Sequence, residues 1–573
     1  MLISAYAPRI IPGDPVSNIP AFADAMEDAA EAGARLLLTP ELSLCGVDCG
    51  SLYAHAFLQE KCAGALAALL RESRRFPDLV TVVGLPVRFR GELYSAAAVL
   101  CSGELLGYAP LCSRLPFFAP PGTEKGILVL PGLPEAAFSS ALGVPLPELT
   151  AGFLPGAALR LCPSAEGADA FSADRLARRT VALAGDHAAL LCCPGAGEST
   201  TDRVYTGFCA AGTGGGLLGI SDYELLVCDL SDTPSPLPEP SVCSPRTPFL
   251  PYDAEDTALR CRRILHLQSS ALATRMERSY SKKCVVGVSG GLDSTLALLV
   301  SAEALRRLSL PAENLIAVTM PGYGTTGRTR SNAEIISLRL GADFREIPIG
   351  ESVALHFRDI GHDPALRNST YENAQARERT QVLMDLANDG GGLVIGTGDL
   401  TELALGWCTS NGDHMSMYAV NAGLPKTVIR AVVAQYAADC GDAELAGALR
   451  DILATPISPE LLPPDGETIL QVTEDLVGPY ELHDFFLYRF LVLGEAPRAI
   501  FKAAADVFDG VYDAETVKKW LAAFLRRFFS QQFKRSCAPD GPDVLGVSLS
   551  PRCGFRMASD LSSGAWLREL EDI

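Results

Sequence analysis

The sequence predicts two α/β domains, and two observations lead to this prediction. Short apolar runs alternate with longer helical stretches along most of the chain, which is typical of buried strands covered by helices. A proline-rich segment at residues 231–240 interrupts the alternation. The 573 residues are also too many for one hydrophobic core. We therefore expect a first domain at 1–230, a linker at 231–252 and a second domain at 253–573.

The first half contains strand-like runs at Leu36–Leu38, Thr81–Leu85 and Ala188–Leu191. An alanine-rich stretch from Phe57 to Arg74 predicts a helix between the first two. The prolines of residues 231–240 exclude a helix interior or a central strand, because proline lacks a backbone N–H group. That segment therefore predicts a semi-rigid linker.

The second half contains strand-like runs at Cys284–Val288, Leu315–Met320 and Leu393–Gly396. A helix is expected to open at Ser294, after the first of these runs. In open parallel sheets, ligands bind at the carboxyl ends of the strands. The loops that follow these runs are therefore the candidate site.

The first of these loops, Ser289–Ser294, is a candidate polyphosphate site. Its glycines let the backbone approach a ligand, and the helix N-terminus directs free N–H groups at an anion. Asp293 adds a carboxylate that can reach a metal bound to phosphates. The Gly-Lys-Ser/Thr ending of a Walker loop is missing. The pattern is instead typical of enzymes that split ATP into AMP and pyrophosphate.

Other loops of this half can complete a nucleotide site. Residues 320–326, which begin with Met320, form a glycine-rich loop that can lie against an adenosine. The loop after the third strand contributes Thr397 and Glu402, and Glu402 can pair with Asp293 to hold magnesium. Lys426 is expected to be a mobile cation that contacts phosphate.

A set of longer motifs occurs in the second half: YENAQARER at 371–379, GTGD at 396–399, GW at 406–407, NGDHMSMY at 411–418, GPYELHDFF at 478–486 and QFKRS at 532–536. Together they resemble the glutamine-dependent, two-domain NAD(+) synthetases, and the resemblance extends from about Pro248 to the C-terminus. It implies a Rossmann-like, parallel-sheet ATP-pyrophosphatase domain in the second half. For the first half it implies a nitrilase-like α-β-β-α sandwich.

The resemblance also implies a reaction, the ATP-dependent amidation of deamido-NAD to NAD. ATP adenylates the nicotinate carboxylate and releases pyrophosphate, and ammonia then displaces AMP. A carboxylate is a poor electrophile, so the AMP leaving group activates it. The charge that develops on the phosphates requires Mg²⁺ and cationic side chains.

By similarity to this family, residues can be assigned to the two nucleotides and the metal. ATP is assigned to Gly287, Val288, Ser289, Gly290, Gly291, Leu292, Asp293, Ser294, Met320, Thr397 and Lys426. Deamido-NAD is assigned to Asn373, Glu402, Trp407, Cys408, Thr409, Ser410 and Lys534, and Mg²⁺ to Asp293 and Glu402. Trp407 is expected to stack on the pyridine ring, the alternative being core packing. His414 receives no catalytic role.

In this family the first domain releases ammonia from glutamine with a glutamate base, a lysine and a cysteine nucleophile. The glutamate is present as Glu41, directly after the strand-like run Leu36–Leu38. The stretch Gly197–Asp202 also resembles the family, in a part that helps to shape the domain.

This sequence has no lysine at the position that aligns with the lysine of the family and no cysteine at the position that aligns with its nucleophile. Cys112 or Leu111 takes the place of the lysine, and Arg114 is the nearest cation. A guanidinium stays charged and cannot share protons as a lysine does. Pro147 aligns with the cysteine, and proline has no nucleophilic atom. The sequence therefore predicts a degenerate amidase domain in which Glu41 is a residual, inactive base.

The leading hypothesis is an NAD synthetase that uses free ammonia, or ammonia supplied by a separate protein. A second hypothesis keeps glutamine as substrate through a relocated nucleophile, Cys162 or Cys112, which would need Glu41 and a cation beside its thiolate. A third is a non-catalytic nucleotide sensor or assembly subunit, against which the retention of Asp293, Glu402 and Lys534 argues. A fourth is another ATP pyrophosphatase, such as a GMP or asparagine synthetase, and the motifs at 371–379 and 407–418 argue against it.

The composition of the chain limits its expected binding partners and its expected cellular location. A net charge of −20 argues against nucleic acid as a bulk partner, and no apolar run approaches the ~20 residues of a membrane span. The first six residues lack a charged leader, so no signal peptide is expected. The 17 scattered cysteines predict free thiols in a reducing cytoplasm. A homo-oligomer is expected from the family resemblance alone.

Overall fold

A computed structural model describes residues 1–89, 91–111, 113, 115–119, 136–138, 159–199, 201–322, 327–455 and 473–571. The chain divides into two compact units. One comprises Met1–Thr200 and Val204–Pro240, and the other comprises Thr201–Arg203 and Ser241–Ile573. The division at Pro240 falls within the segment 231–252. This segment is not a free linker throughout, because Ser235 pairs through its backbone with Leu217.

The first unit contains the following strands and helices: β1 (Leu2–Ala5), α1 (Ile19–Glu31), β2 (Leu36–Leu38), α2 (Ala56–Glu72), β3 (Val80–Phe89), β4 (Glu92–Cys101), β5 (Glu104–Pro110), β6 (Ala136–Phe138), β7 (Leu159–Pro163), α3 (Ser172–Ala184), β8 (Ala188–Cys192), β9 (Cys209–Thr213), β10 (Gly216–Ser221) and β11 (Leu226–Asp229). The three strand-like runs and the helix predicted for this half are all present.

These strands form two sheets, ordered β11-β1-β2-β3-β4-β5 and β10-β9-β8-β7-β6. Successive side chains of a strand point to opposite faces. Leu36 and Leu38 therefore join a core between the two sheets, whereas Leu37 packs with residues of α1 and α2. In the second sheet Leu161 joins the same central core, and Cys162 packs with residues of α3. The layers are helix, sheet, sheet and helix, which confirms the predicted α-β-β-α sandwich.

The second unit contains the following elements: α4 (Ala254–Arg278), β12 (Lys283–Gly287), α5 (Leu292–Arg307), β13 (Leu315–Thr319), α6 (Gly327–Arg339), β14 (Asp343–Glu346), α7 (Gly350–Ile360), α8 (Ser369–Gly390), β15 (Gly392–Gly396), α9 (Leu400–Leu405), β16 (Tyr418–Ala419), α10 (Lys426–Asp439), α11 (Ala443–Ala454), α12 (Thr473–Val477), α13 (Tyr480–Leu487), α14 (Pro497–Val507), α15 (Ala514–Ser530), α16 (Gln532–Arg535) and α17 (Gly564–Glu571).

The sheet of the second unit is parallel, with the order β14-β13-β12-β15-β16. Val285, Val318 and Val394 pack on one face with residues of α7 and α8. On the other face, Cys284 lies 3.5 Å from the sulfur of Met276 in α4. The strand order reverses between β12 and β15. In sheets of this kind the crevice at the carboxyl ends of two such strands is the usual ligand site.

The structure corrects two expectations. The helix after β12 begins at Leu292 and not at Ser294. The stretch 197–202 does not belong to one domain, because Asp202 is part of the second unit, where it accepts two hydrogen bonds of 2.8 Å from Arg552. Cys112, Arg114, Pro147 and residues 323–326 lie outside the described residues. Within the described part of the chain, no helix is long and apolar enough to cross a membrane.

Candidate active site

The loop after β12 folds back on itself at the start of α5. Gly290 has φ +79°, a conformation in which a side chain would be strained. Ser289 Oγ accepts a hydrogen bond of 3.2 Å from the backbone N–H of Gly291, and Ser294 Oγ donates one of 3.1 Å to the Gly291 carbonyl. Because α5 begins two residues before Ser294, Asp293 lies in its first turn. The loop thus presents hydroxyl groups and a carboxylate beside a helix N-terminus.

Lys426 lies at the centre of three carboxylates. Its Nζ atom is 2.7 Å from Asp293 Oδ2 and 3.1 Å from Glu402 Oε1. The shortest distance, 2.5 Å, is to Asp399 Oδ2. The ammonium donates hydrogen bonds to Asp293 and Glu402 and forms an ion pair with Asp399. The ring of Tyr480 lies 5.1 Å away. Lys426 was expected to be a mobile cation at the phosphates; in this structure its side chain is completely buried and paired with carboxylates.

The charges of this cluster depend on one another. Burial by itself would lower the pKa of Lys426, but the carboxylates of Asp293, Asp399 and Glu402 outweigh it and hold that pKa well above its ordinary value. Burial raises the pKa of Glu402 to about 7, although Lys426 partly offsets the rise. Each group therefore needs the opposite charge of its neighbours to remain ionised inside the protein.

The start of α9 positions two of the carboxylates. Asp399 Oδ1 accepts a hydrogen bond of 2.7 Å from the N–H of Glu402, and Glu402 Oε2 accepts one of 3.3 Å from the N–H of Asp399. This reciprocal pair is a capping box, which satisfies N–H groups that would otherwise lack partners. The same hydrogen bonds that begin the helix thus hold both carboxylates towards Lys426.

The start of α10 is positioned by Asp484, a buried residue of α13. Its Oδ2 atom accepts a hydrogen bond of 2.8 Å from the N–H of Thr427, and its Oδ1 atom accepts one from the hydroxyl of Thr401. Thr401 Oγ1 in turn accepts a hydrogen bond of 3.1 Å from the N–H of Lys426. Asp484 therefore fixes the backbone from which the Lys426 side chain extends.

Asn421 joins the two loops at the reversal of strand order. Its Nδ2 atom donates to the carbonyls of Asp293 and Thr397, both at 3.0 Å. Asn421 is fully buried, and its amide oxygen accepts a hydrogen bond of 3.3 Å from Gln268. Since Thr397 follows β15 and Asp293 follows β12, this one amide fixes the separation of the predicted ATP-binding loops.

The carboxyl end of α9 is bound by cationic side chains from α15 and α16. Lys534 Nζ donates to the carbonyls of Gly406 and Cys408, both at 2.7 Å. Arg527 lies over the ring of Trp407, with 5.2 Å between its guanidinium carbon and the ring centroid. Cations are favourable at this end of a helix because its last carbonyls lack partners. Lys534 therefore holds the loop that contains the predicted deamido-NAD residues.

The same loop is held from α8. Thr409 Oγ1 donates to Asn373 Oδ1 at 2.8 Å, and the N–H of Thr409 donates to Asp413 Oδ1 at 2.5 Å. Arg377 Nε donates to the carbonyl of Ser410 at 3.3 Å. The structure thus joins Asn373 to the loop at 407–410, and their shared role in binding deamido-NAD stays a prediction.

Comparison with known proteins identifies relatives of this chain. Residues 264–463 match the family model described as NAD synthase. The glutamine-dependent NAD(+) synthetase of Mycobacterium leprae is 34% identical over 98% of this chain and 96% of its own. The chain belongs to the glutamine-dependent NAD(+) synthetase family. Members of this family are ligases that form a C–N bond.

Two solved synthetases of this family share the fold. A glutamine-dependent NAD(+) synthetase from Cytophaga hutchinsonii has a TM-score of 0.77 at 19% identity, covering 100% of this chain and 99% of its own. The enzyme from Acinetobacter baumannii, in complex with adenosine diphosphate, has a TM-score of 0.64 at 20% identity, covering 99% and 98%. The similarity of fold therefore extends over both units.

The residues present fit the magnesium ion that an NAD(+) synthetase is expected to use. Oxygen atoms of Asp293, Asp399 and Glu402 lie within 4.8 Å of one another. Oδ1 of Asp293 is shielded from solvent and has no hydrogen-bond partner among the described residues. Carboxylate oxygens are the ligands that Mg²⁺ prefers. Asp399 was missed from the sequence, although the spacing Asp-x-x-Glu was a visible signal of the capping box.

Some residues assigned to ATP lie in the apolar core. The side chains of Val288, Leu292 and Met320 are buried, and Met320 packs with residues of α7 and α8. Only backbone atoms of such residues are available to a ligand, and the carbonyl of Met320 already accepts a hydrogen bond of 3.3 Å from Arg379. Contact between Met320 and an adenosine therefore remains a prediction, and it would involve the backbone of Met320.

In the first unit Glu41 is completely buried. Its Oε1 atom accepts a hydrogen bond of 2.8 Å from Ser95 Oγ. Burial raises the pKa of Glu41, and hydrogen bonds from Ser113 and Ser95 partly offset the rise. Leu111, one of the two candidates for the position of the family's lysine, packs in the core between the sheets. Leu111 therefore contributes apolar packing.

Cys162, a proposed relocated nucleophile, has a cation beside it. Arg179 Nη2 lies 3.5 Å from Cys162 Sγ. The same guanidinium forms an ion pair of 2.5 Å with Glu166, and the thiol is almost completely buried. The surroundings of Cys162 thus meet one of the two conditions for a reactive thiolate, a nearby positive charge.

Proposed function

We propose that this chain catalyses the ATP- and Mg²⁺-dependent amidation of deamido-NAD to NAD, with release of AMP and pyrophosphate and with free ammonia as the nitrogen source. The observation that carries the synthetase reaction is the meeting of Asp293, Glu402 and Lys426 where the strand order reverses. The adenosine diphosphate bound by the Acinetobacter baumannii synthetase supports ATP as the nucleotide.

The two nucleotides are proposed to bind at opposite ends of α9. The loop at 289–294 and Thr397 serve the ATP phosphates near its start, where Asp293 and Glu402 would hold Mg²⁺ and neutralise developing charge. The loop at 407–410, with Asn373 and Lys534, serves deamido-NAD near its end. The six residues of α9 span only about 9 Å at 1.5 Å per residue. This short distance suits the reaction, in which the nicotinate carboxylate of deamido-NAD must meet the α-phosphate of ATP.

The proposal that free ammonia is the nitrogen source depends on the sequence of the first unit. Pro147 aligns with the nucleophile of the family, and Cys112 or Leu111 aligns with its lysine. Without these groups the covalent acyl-enzyme route is closed, because a buried Glu41 alone offers no nucleophile. We therefore assign residues 1–230 to a degenerate nitrilase-like domain and residues 253–573 to the synthetase domain.

A second candidate, a glutamine-hydrolysing synthetase, is favoured by one observation. The Arg179 guanidinium, 3.5 Å from the sulfur of Cys162, would favour a thiolate there, which would then act as nucleophile. The family name of the relatives, glutamine-dependent, agrees with this candidate.

The test is NAD formation from ATP, Mg²⁺ and deamido-NAD, with ammonium and glutamine compared as sole nitrogen sources. We expect activity with ammonium and none with glutamine. The variants Glu41→Gln and Cys162→Ala should leave the ammonium-dependent rate unchanged. Glutamine-dependent activity in ammonia-free protein that disappears in Cys162→Ala would replace the first candidate by the second. Inactivity with both nitrogen sources would overturn the proposal and revive the nucleotide sensor.

Self-association and a cytoplasmic location are further proposals. Both come from the family resemblance and the cysteine content. All 16 described cysteines are free thiols. Light scattering of the purified chain measures the oligomeric state, and a monomer at micromolar concentration would contradict the first of these proposals.

A further inference from the structure

Lys426 lies where a divalent cation would have to bind. Its ammonium is within 3.1 Å of an oxygen atom from each of Asp293, Asp399 and Glu402. These are the three residues whose oxygen atoms could together hold a metal ion. Two cations cannot share these oxygens closely, because like charges in a buried site repel strongly. Either Lys426 or a metal ion can therefore occupy the centre of this site, but not both.

The surroundings favour movement of the lysine head and not of its backbone. The N–H of Lys426 is held by Thr401, which Asp484 holds in turn. Asp399 and Glu402 are fixed by the capping box of α9. The flexible four-carbon stem of a lysine can rotate while its backbone stays fixed. The ammonium is thus the mobile member of the cluster.

An unpartnered polar atom lies beside this cluster. The hydroxyl of Tyr480, a residue that is 4% exposed, has no hydrogen-bond partner among the described residues. Its ring lies 5.1 Å from Lys426 Nζ. A buried hydroxyl without a partner is costly, and this one lies next to a group that we expect to change position.

We propose that Lys426 is the resident counter-ion of Asp293, Asp399 and Glu402 and that it exchanges with a divalent cation. On exchange, its ammonium becomes free to contact the nucleotide phosphates. The inference rests on the proposed synthetase function of the same site. It assigns Asp399 as a positioning residue, because Asp399 is the closest and most buried partner of the ammonium. Binding of the metal and of the nucleotide should then be cooperative, because the phosphates offer the displaced ammonium a new partner.

The experiment is a Mn²⁺ titration of the full-length protein, followed by the electron paramagnetic resonance signal of free Mn²⁺. Without nucleotide, Lys426→Met should bind Mn²⁺ at least about tenfold more tightly than the natural protein, because the competing cation is removed. Addition of α,β-methylene-ATP should tighten Mn²⁺ binding in the natural protein and do so much less in Lys426→Met. Lys282→Met, at an exposed position before β12, should behave like the natural protein.

A second variant keeps the test decisive if three uncompensated carboxylates prevent Lys426→Met from folding. Lys426→Met with Asp399→Asn removes one charge of each sign and leaves Asp293 and Glu402 for the metal. It too should bind Mn²⁺ more tightly than the natural protein without nucleotide. Equal or weaker binding in the folded variants would overturn the exchange. These titrations contain no deamido-NAD and no ammonia, so their result is independent of whether the proposed reaction occurs.

Discussion

The ammonium of Lys426 lies 2.5 Å from the carboxylate of Asp399, and neither side chain is exposed to solvent. The pair connects the start of α9 with the start of α10, the two helices that follow β15 and β16 in the chain. Removing the ammonium alone leaves three carboxylates without a cation, whereas removing Asp399 with it takes away one charge of each sign. The consequences for stability can be measured separately from those for catalysis.

We expect Lys426→Met to destabilise the second unit by about 3 kcal/mol, because it leaves three buried carboxylates without their cation. Asp399→Asn should cost less, because Asp293 and Glu402 still pair with the ammonium. The double variant should lose clearly less than the sum of the two losses. Thermal unfolding of the four proteins without metal or nucleotide measures this coupling. Strictly additive losses would show that the pair is not an energetic unit.

Asp484→Ala should destabilise the protein by about 2–4 kcal/mol, since it removes a buried charged acceptor from the start of α10 and from Thr401. It should also lower kcat, because the backbone of Lys426 loses its support. Thermal unfolding and ammonium-dependent NAD formation measure the two effects. Asp506→Ala, at an exposed position of α14, is the matched control and should change neither. An Asp484→Ala protein of natural stability would contradict the capping role.

Lys534→Met should raise the KM for deamido-NAD by about tenfold, because two charged hydrogen bonds to the loop at Gly406 and Cys408 are lost. The KM for ATP should change much less, since the phosphate loop lies at the other end of α9. Steady-state kinetics with each substrate varied in turn provides the measurement. Lys502→Met, exposed on α14, controls for the loss of a surface charge. Equal changes in both KM values would argue against a role limited to the loop at 407–410.

The stability of the first unit should depend on pH through Glu198. Burial raises the pKa of Glu198 from its ordinary 4.5 to about 8, although the N–H of Val47 partly offsets the rise. Between these values the folded protein binds more protons than the unfolded chain, so the free energy of unfolding falls as the pH rises from about 5 to about 8. The loss amounts to a few kcal/mol at most.

Glu198→Gln should remove most of this pH dependence, because an amide cannot ionise but can still accept from Val47. The difference in melting temperature between this variant and the natural protein should therefore grow in favour of the variant from pH 5 to pH 8. Glu92→Gln, at an exposed position of β4, should show a constant difference over the same range. If the difference in melting temperature is also constant for Glu198→Gln, burial of the Glu198 carboxyl does not cause the pH dependence of stability.

Much of the fold follows from local patterns of the sequence. The apolar runs at Leu36–Leu38, Leu315–Met320 and Leu393–Gly396 mark strands within one residue of those observed. The period of two along such runs explains why Leu36 and Leu38 face one core and Leu37 another. The glycine turn at 289–291 marks a strand-to-helix connection, although the helix begins earlier than expected because Leu292 already has helical geometry.

The sequence predicted residues of the candidate site only where a local motif contains the reactive or metal-binding side chains. Asp293 and Glu402 are adjacent in the structure, as expected, because both follow neighbouring parallel strands. Asp399, Asn421 and Asp484 were missed. Each of them acts through a partner more than 20 residues away in the chain. The capping-box spacing marks Asp399 locally but does not reveal its pairing with Lys426, and Asn421 and Asp484 leave no local pattern.

By itself, the sequence determined the two α/β halves, the loops predicted to bind phosphate and the family to which the chain belongs. These features depend on apolar periodicity, on glycine turns and on contiguous motifs, all of which act over a few neighbouring residues. Only the tertiary structure decided that Lys426 is buried among three carboxylates and that Lys534 holds the end of α9. These features depend on desolvation and on charges from distant parts of the chain, which act only after the helices have packed together.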